Sequence, residues 1–230
     1  NSTTYMSFFS QMDTYGDGYA GIGVWRAAFK PLVDRIADTD IRLQWFCCDR
    51  STGVTDASGN RITLIRDTQS PVAVEYQAVK FIGTGRDNIK AGVFSGWELG
   101  DYIYLRSEEA YMIKMEALAH KSSAEAVTEL NSFMKTRQPD YNYTFTNKAD
   151  LIEEIIYQKR VEFWGEGLEY IDNRRLNIPV DRTDETWGAE NNNHFSAGKF
   201  RYNQEDRPFL YQLPLSEIEN NSQLSPSDQN

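Results

Sequence analysis

FWGEGLEYIDNRR, residues 163–175, decides how the second half of this chain is organised. A helix-patterned stretch, DLIEEIIYQKRVEFW at 150–164, runs into Gly165 and then Glu166-Gly167. The helical pattern resumes with Tyr170, Ile171, Asp172 and the pair Arg174-Arg175. Glycine adopts the left-handed conformation that ends a helix without a Cβ penalty. The stretch therefore predicts two helices turning on a glycine-containing junction. Asp172 and Arg175, one turn apart, are placed to pin the second helix.

Working upstream, the spacing predicts a helix over 148–164, capped by Asn147 with Asp150 close behind, and with Ile152, Ile155, Ile156 and Phe163 facing inward. Before it, Ala126, Val127, Leu130, Phe133 and Met134 form an amphipathic stripe. Ser122, three residues ahead of Glu125, has the signature of a capping box. From Asp101 onward, DYIYLRSEEAYMIKMEALA predicts a further helix with Leu105, Met112 and Ala119 on one face. Consecutive helices with short links have the pattern of one unit of a helical repeat, which cannot bury its face alone.

Residues 1–100 read differently. They hold most of the glycines, with the turn-rich stretches GDGYAGIG, STGVTDASGN and GTGRDN. Strand-like pieces lie at 61–65 and 72–81, and a helix is expected over about 26–38 with Pro31 near its start. The expected organisation is mainly α: helical hairpins of tetratricopeptide type over 101–230, beside a loop-rich subdomain with short strands over 1–100.

Net charge is −10, which disfavours nucleic acid as a partner. No apolar run reaches membrane-spanning length. The cysteines Cys47 and Cys48 are adjacent and do not form a disulfide framework. His120 and His194 share no metal-like spacing, and GTGRDN lacks the context of a phosphate loop. DTYGDG lacks the alternating ligands of a calcium loop. Neither a cofactor nor a metal is expected.

Glu109 and Glu116 fall on the face of the 101–119 helix that carries Met112. Acids there need partners. Arg106, Arg160, Arg174 and Arg175 can supply them, either as a structural ion-pair network or as part of a carboxylate site for acid–base chemistry. Position on helix faces among large apolar residues favours the structural reading.

Taken in order, these residues resemble the SusD/RagB family. The matching positions are Leu105-Arg106, Glu109, Met112 and Glu116-Ala117; then Leu130-Asn131 and Arg137; then Arg160, Glu162, Glu166-Gly167, Asp172 and Arg175. The end matches at Pro214, Glu217-Ile218, Asn221 and Gln229-Asn230, and DTDIRLQWF at 38–46 matches more weakly. Gln158-Lys159 and Leu168-Glu169 depart from the family pattern. The resemblance implies a SusD-like fold in which Arg106, Glu109, Glu116, Arg160, Glu162, Glu166, Asp172 and Arg175 are structural. It also implies a lipid-anchored protein on the extracellular face of the outer membrane, with no enzymatic activity. Such a protein captures oligosaccharide and passes it to a SusC-like, TonB-dependent transporter. An N-terminal half of helical-repeat units, carrying the anchor, is expected to precede residue 1.

A glycoside hydrolase with paired carboxylates and a helical-repeat adaptor are the competing functional classes. Aromatic content of 13% supplies candidates for stacking on sugar rings. Tyr15, Tyr19 and Trp25, with Asp17, are densest; Trp97, Tyr141, Tyr143 and Trp187 follow. Core packing competes with ligand stacking at each of them.

Overall fold

The computed structural model describes residues 27–47, 76–78, 80, 103–206 and 210–228. The strand-like piece at 61–65, the glycine-rich turns and Cys48 lie outside them. The chain divides into two compact units, one ending at Glu166 and the other running from Gly167 to Asn230. Among the described residues the architecture is mainly α, with two short two-stranded ladders.

The first unit opens with α1 (Lys30–Asp34), much shorter than the helix expected over 26–38. Pro31 lies in its first turn, where its missing N–H costs nothing. A 3-10 turn (Ile41–Trp45) leads into β1 (Phe46–Cys47), which pairs antiparallel with β2 (Gln77–Ala78), Phe46 opposite Ala78. The helices α2 (Ser107–Lys121), α3 (Ser123–Met134) and α4 (Lys148–Glu162) follow. Helix α2 packs against both α3 and α4.

Helix α2 starts later than the sequence pattern suggests. Residues 103–106 are not helical and Leu105 is 72% exposed, so the stripe of α2 begins at Met112. Ser122 occupies the cap position of α3, yet its side chain makes no capping bond. With a single residue between two helices, its N–H bonds back to Leu118 O and its carbonyl accepts from Ala126. The Asn147 cap does form: its Oδ1 accepts from Asp150 N at 3.0 Å and its amide donates to the Asp150 carboxylate at 2.7 Å.

Helix α4 is the beam of this unit. Leu151 and Ile155 are fully buried, as are Met112, Met115 and Ala119 of α2 and Ala126, Leu130 and Met134 of α3. Tyr157 and Val161, on another side of α4, join a second cluster with Ala28, Val33, Ile36, Leu43, Phe46, Tyr76 and Ala78. Burial on more than one side also sequesters Gln158, Lys159 and Glu162, and buried polar groups require partners.

After Glu162 the backbone breaks. Gly165 has φ +79° and Gly167 φ +86°, both left-handed, and Gly167 caps α5 (Leu168–Arg175). In the second unit β3 (Val180–Asp181) pairs antiparallel with β4 (Arg201–Tyr202). A single-turn α6 (Asp184–Trp187) lies between them in sequence, and α7 (Leu215–Asn220) follows. No described helix is long and apolar enough to cross a membrane.

A Cβ on Gly167 would meet no atom within 4 Å. The demand for glycine there is conformational rather than steric. Gly167→Ala is expected to lower stability by roughly 1–2 kcal/mol. Gly167→Asn, which tolerates the left-handed region better, should recover part of that. Urea denaturation checks this; an unchanged midpoint in the alanine variant contradicts it.

Candidate functional site

Two features of the first unit concentrate polar chemistry: a buried ionic cluster at the end of α4 and an open cleft beside it. The cluster centres on Glu162, which is 1% exposed. Its carboxylate accepts from Arg137 Nη2 at 3.1 Å and Nε at 3.3 Å, from Arg106 Nη1 at 3.1 Å and from Arg42 Nη1 at 3.4 Å. Glu166 accepts from Lys80 Nζ at 2.6 Å and from Arg106 Nη2 and Nε at 2.9 and 3.0 Å. Arg42 is itself clamped by Asp40, at 2.6–3.2 Å, and Arg137 reaches Glu108 at 3.2 Å. Four cations (Arg42, Lys80, Arg106, Arg137) meet four carboxylates (Asp40, Glu108, Glu162, Glu166).

Helix termination supplies further acceptors. Lys80 Nζ donates to the carbonyls of Glu162 and Trp164 at 2.7 and 3.1 Å, and Arg106 Nη2 to that of Glu162 at 2.9 Å. Cations thus sit where the last carbonyls of a helix lack intrahelical donors. Burial alone would push the Glu162 carboxyl up, but bonds from Arg137 and Arg106 and the charge of Arg42 hold it below the usual range. Burial pulls the Lys80 ammonium below its usual range, opposed by Glu166.

Of the expected network, Arg106, Glu162 and Glu166 come together here. Asp172 and Arg175 bond to each other within α5 at 2.7–2.8 Å, in the other unit. Glu116 is buried on α2 and Arg160 half-buried on α4. Glu109 is half-exposed and stands outside the cluster. Sequence reasoning did not assign Lys80, Arg42 or Arg137 to the network. The last two sit at positions of the family resemblance, but the pairing to Glu162 spans 120 and 25 residues and leaves no local signal.

The cleft, about 380 Å³, is lined by residues of the segment that follows α1 (Arg35, Ile36, Ala37 and Asp40), the 138–143 loop and α4. Tyr141 and Tyr143, expected as ligand contacts, both line it. Tyr141 is 8% exposed and its hydroxyl donates to Glu154 at 2.9 Å. Burial, then the Glu154 charge, push that phenol well above its usual range, so it stays a donor. The guanidinium of Arg35 lies 3.9 Å over the Tyr157 ring and bonds Glu154 at 2.5 Å. Gln158 donates to Glu154 at 2.7 Å and accepts from Arg42 at 2.5 Å, joining the cleft wall to the ionic cluster. Asn131 fixes the loop, accepting from Tyr143 N at 2.7 Å and donating to its carbonyl at 3.1 Å.

In the second unit Trp187 is 36% exposed, and its indole N–H donates to Asp181 O at 3.0 Å. Part of its ring therefore faces solvent on a tied-down side chain. The Asp181 carboxylate accepts from Thr183, Thr186 and Arg201. Burial opposes its ionisation, but these bonds pull it down to about 2. Tyr15, Asp17, Tyr19, Trp25 and Trp97 lie outside the described residues. Among the described residues no group of His, Cys, Asp or Glu has the arrangement of a metal site.

Because the folded-state pKa of Glu162 is depressed, its contribution to stability is complete above the unfolded carboxylate value, about 4.3. It is lost as pH falls through the lower folded value. Glu162→Gln should cost roughly 3–5 kcal/mol at neutral pH by stranding three arginines, and should flatten the acid limb of the stability curve below pH 5. Urea titrations at pH 3–7 check this; a variant with wild-type stability and an unchanged acid limb contradicts it.

Known proteins place this architecture. The chain superposes on a SusD-like carbohydrate binding protein from Bacteroides vulgatus ATCC 8482 with a TM-score of 0.61 and 21% identity, over 97% of this chain. It spans 45% of that protein, a little under half its length, and the likeness concerns the fold. A search of curated proteins gives no match. The sequence model of the SusD family matches residues 76–230, two thirds of the chain, with the α2–α5 helices and the cluster residues Lys80, Arg106, Glu108, Arg137, Glu162 and Glu166 inside the match, and Asp40 and Arg42 outside it. By that match the chain belongs to the SusD family.

Proposed function

We propose that this protein captures glycan without chemically altering it. In this reading it is lipid-anchored on the extracellular face of the outer membrane. It hands oligosaccharide to a SusC-like, TonB-dependent transporter. Membership of the SusD family is the observation that carries the reading, and a structural neighbour is itself a carbohydrate binding protein.

The acids of the first unit support capture over hydrolysis. A glycosidase needs two carboxyl groups facing each other across roughly 5–10 Å of open cleft, one of them free to exchange a proton. Glu162 and Glu166 are sheathed by cations, and Glu154 accepts from Tyr141, Gln158 and Arg35. Each of these carboxylates has its oxygens engaged by neighbouring donors. The ligand contacts in this reading are Tyr141 and Tyr143 of the cleft, Trp187 of the second unit, and Tyr15, Asp17, Tyr19, Trp25 and Trp97.

A glycan array probed with the full-length protein, followed by calorimetry and a reducing-end assay on every hit, tests the proposal. Saturable binding with no new reducing ends is expected. Release of reducing ends would overturn the non-catalytic role. Affinity for the transporter with none for any glycan would favour an adaptor instead.

A further inference from the structure

The arginines of the ionic cluster have their donors fully committed. In Arg42, Arg106 and Arg137 every guanidinium nitrogen makes a hydrogen bond. Arg35, which lines the cleft, differs. Its side chain is 46% exposed, and Nη2 alone makes a hydrogen bond, to Glu154 at 2.5 Å. Nη1 lies 3.8 Å from Glu153, too far for a hydrogen bond. A guanidinium presents its N–H groups as two forks, and Nη2 contributes one N–H to each. Whichever fork holds Glu154, the other keeps a pair of parallel donors.

Those donors sit on a restrained side chain. The Arg35 guanidinium lies 3.9 Å over the ring of Tyr157, which is buried and whose hydroxyl donates to Leu32 O at 3.3 Å. Glu154, the anchor of Nη2, is itself held by Tyr141 and Gln158. The ring contact and the ion pair together hold the guanidinium in place. Much of the entropy that a long side chain loses on binding is therefore lost before a ligand arrives. The cleft, at about 380 Å³, has the size of a small-molecule site. A restrained fork in such a cleft matches two neighbouring oxygen acceptors. On a glycan these are vicinal hydroxyls or the carboxylate of a uronic acid. Resting on the glycan-capture reading, we infer that Arg35 is a ligand-binding residue of this cleft, donating through its open fork to two adjacent oxygens of a sugar.

The experiment uses the full-length protein with two sets of probes: neutral gluco-, manno-, galacto- and xylo-oligosaccharides, and oligogalacturonides. Arg35→Lys keeps a positive charge opposite Glu154 but removes the fork, and melting curves show whether the variant folds. Calorimetry should find at least one set of bound probes weakened about tenfold or more, the scale of a hydrogen bond from a charged donor. A loss confined to neutral probes identifies the oxygens as hydroxyls, and one confined to oligogalacturonides identifies a carboxylate; either supports the inference. Butanedione labelling of wild type, read by mass spectrometry, gives a second measurement that needs no variant. Arg35 should react in the free protein and be shielded at saturating probe. Unchanged affinity of folded Arg35→Lys for every bound probe, or an Arg35 as reactive at saturation as without probe, would overturn this role while leaving glycan capture intact. Absence of binding to every probe would overturn glycan capture and the role of Arg35 with it.

Discussion

One buried carboxylate draws together three separate stretches of the described first unit. Glu162 sits at the last turn of α4, shielded from water, and an ionised acid there is tolerable when its charge is answered at close range. Three arginines answer it: Arg42 from the 3-10 turn, Arg106 just before α2, and Arg137 just after α3. They come from three separate stretches of chain. A single acid thus fixes the order in which those stretches meet, something apolar packing alone specifies less sharply.

The same cluster positions the cleft. Arg42 holds Gln158, Gln158 holds Glu154, and Glu154 in turn holds the Tyr141 hydroxyl and Arg35. The α4 side of the cleft wall is therefore an extension of the ionic core, built from Gln158, Glu154 and the Tyr141 hydroxyl, each held by its neighbours. A wall of this kind is rigid and chemically quiet. It suits recognition of a ligand that arrives with its own donors and acceptors, and it suits proton-transfer chemistry poorly.

Much of the local structure was legible in the sequence. Asn147 caps α4 because the acceptor and the N–H it serves are three residues apart, and Gly165 and Gly167 bend the chain because the left-handed conformation favours glycine. Glu109 and Glu116 stood out as acids on an apolar helix face with Arg106 as one available partner, whereas Glu162 and Glu166 entered through the family resemblance. Other signals misled for physical reasons. Ser122 has the spacing of a capping box, but the tight α2–α3 link satisfies its neighbours through backbone bonds. Leu105 continues the apolar stripe of α2 in sequence, yet the helix begins two residues later. Arg42, Lys80 and Arg137 acquire their roles through long-range contacts that no periodicity encodes. Tyr141, a stacking candidate for which core packing was the competing reading, has a buried ring and a hydroxyl bonded to Glu154.

A double-mutant cycle between Glu162 and Arg42 tests the central claim most directly. Glu162→Gln, Arg42→Met and the double variant would be compared with wild type by urea denaturation of the full chain. Since each single change strands a buried partner and the double change removes both charges, the two effects should fall short of additivity by about 2 kcal/mol or more. Additivity within about 0.5 kcal/mol would contradict the account, because it would mean that the two groups share no interaction worth the cost of burying them.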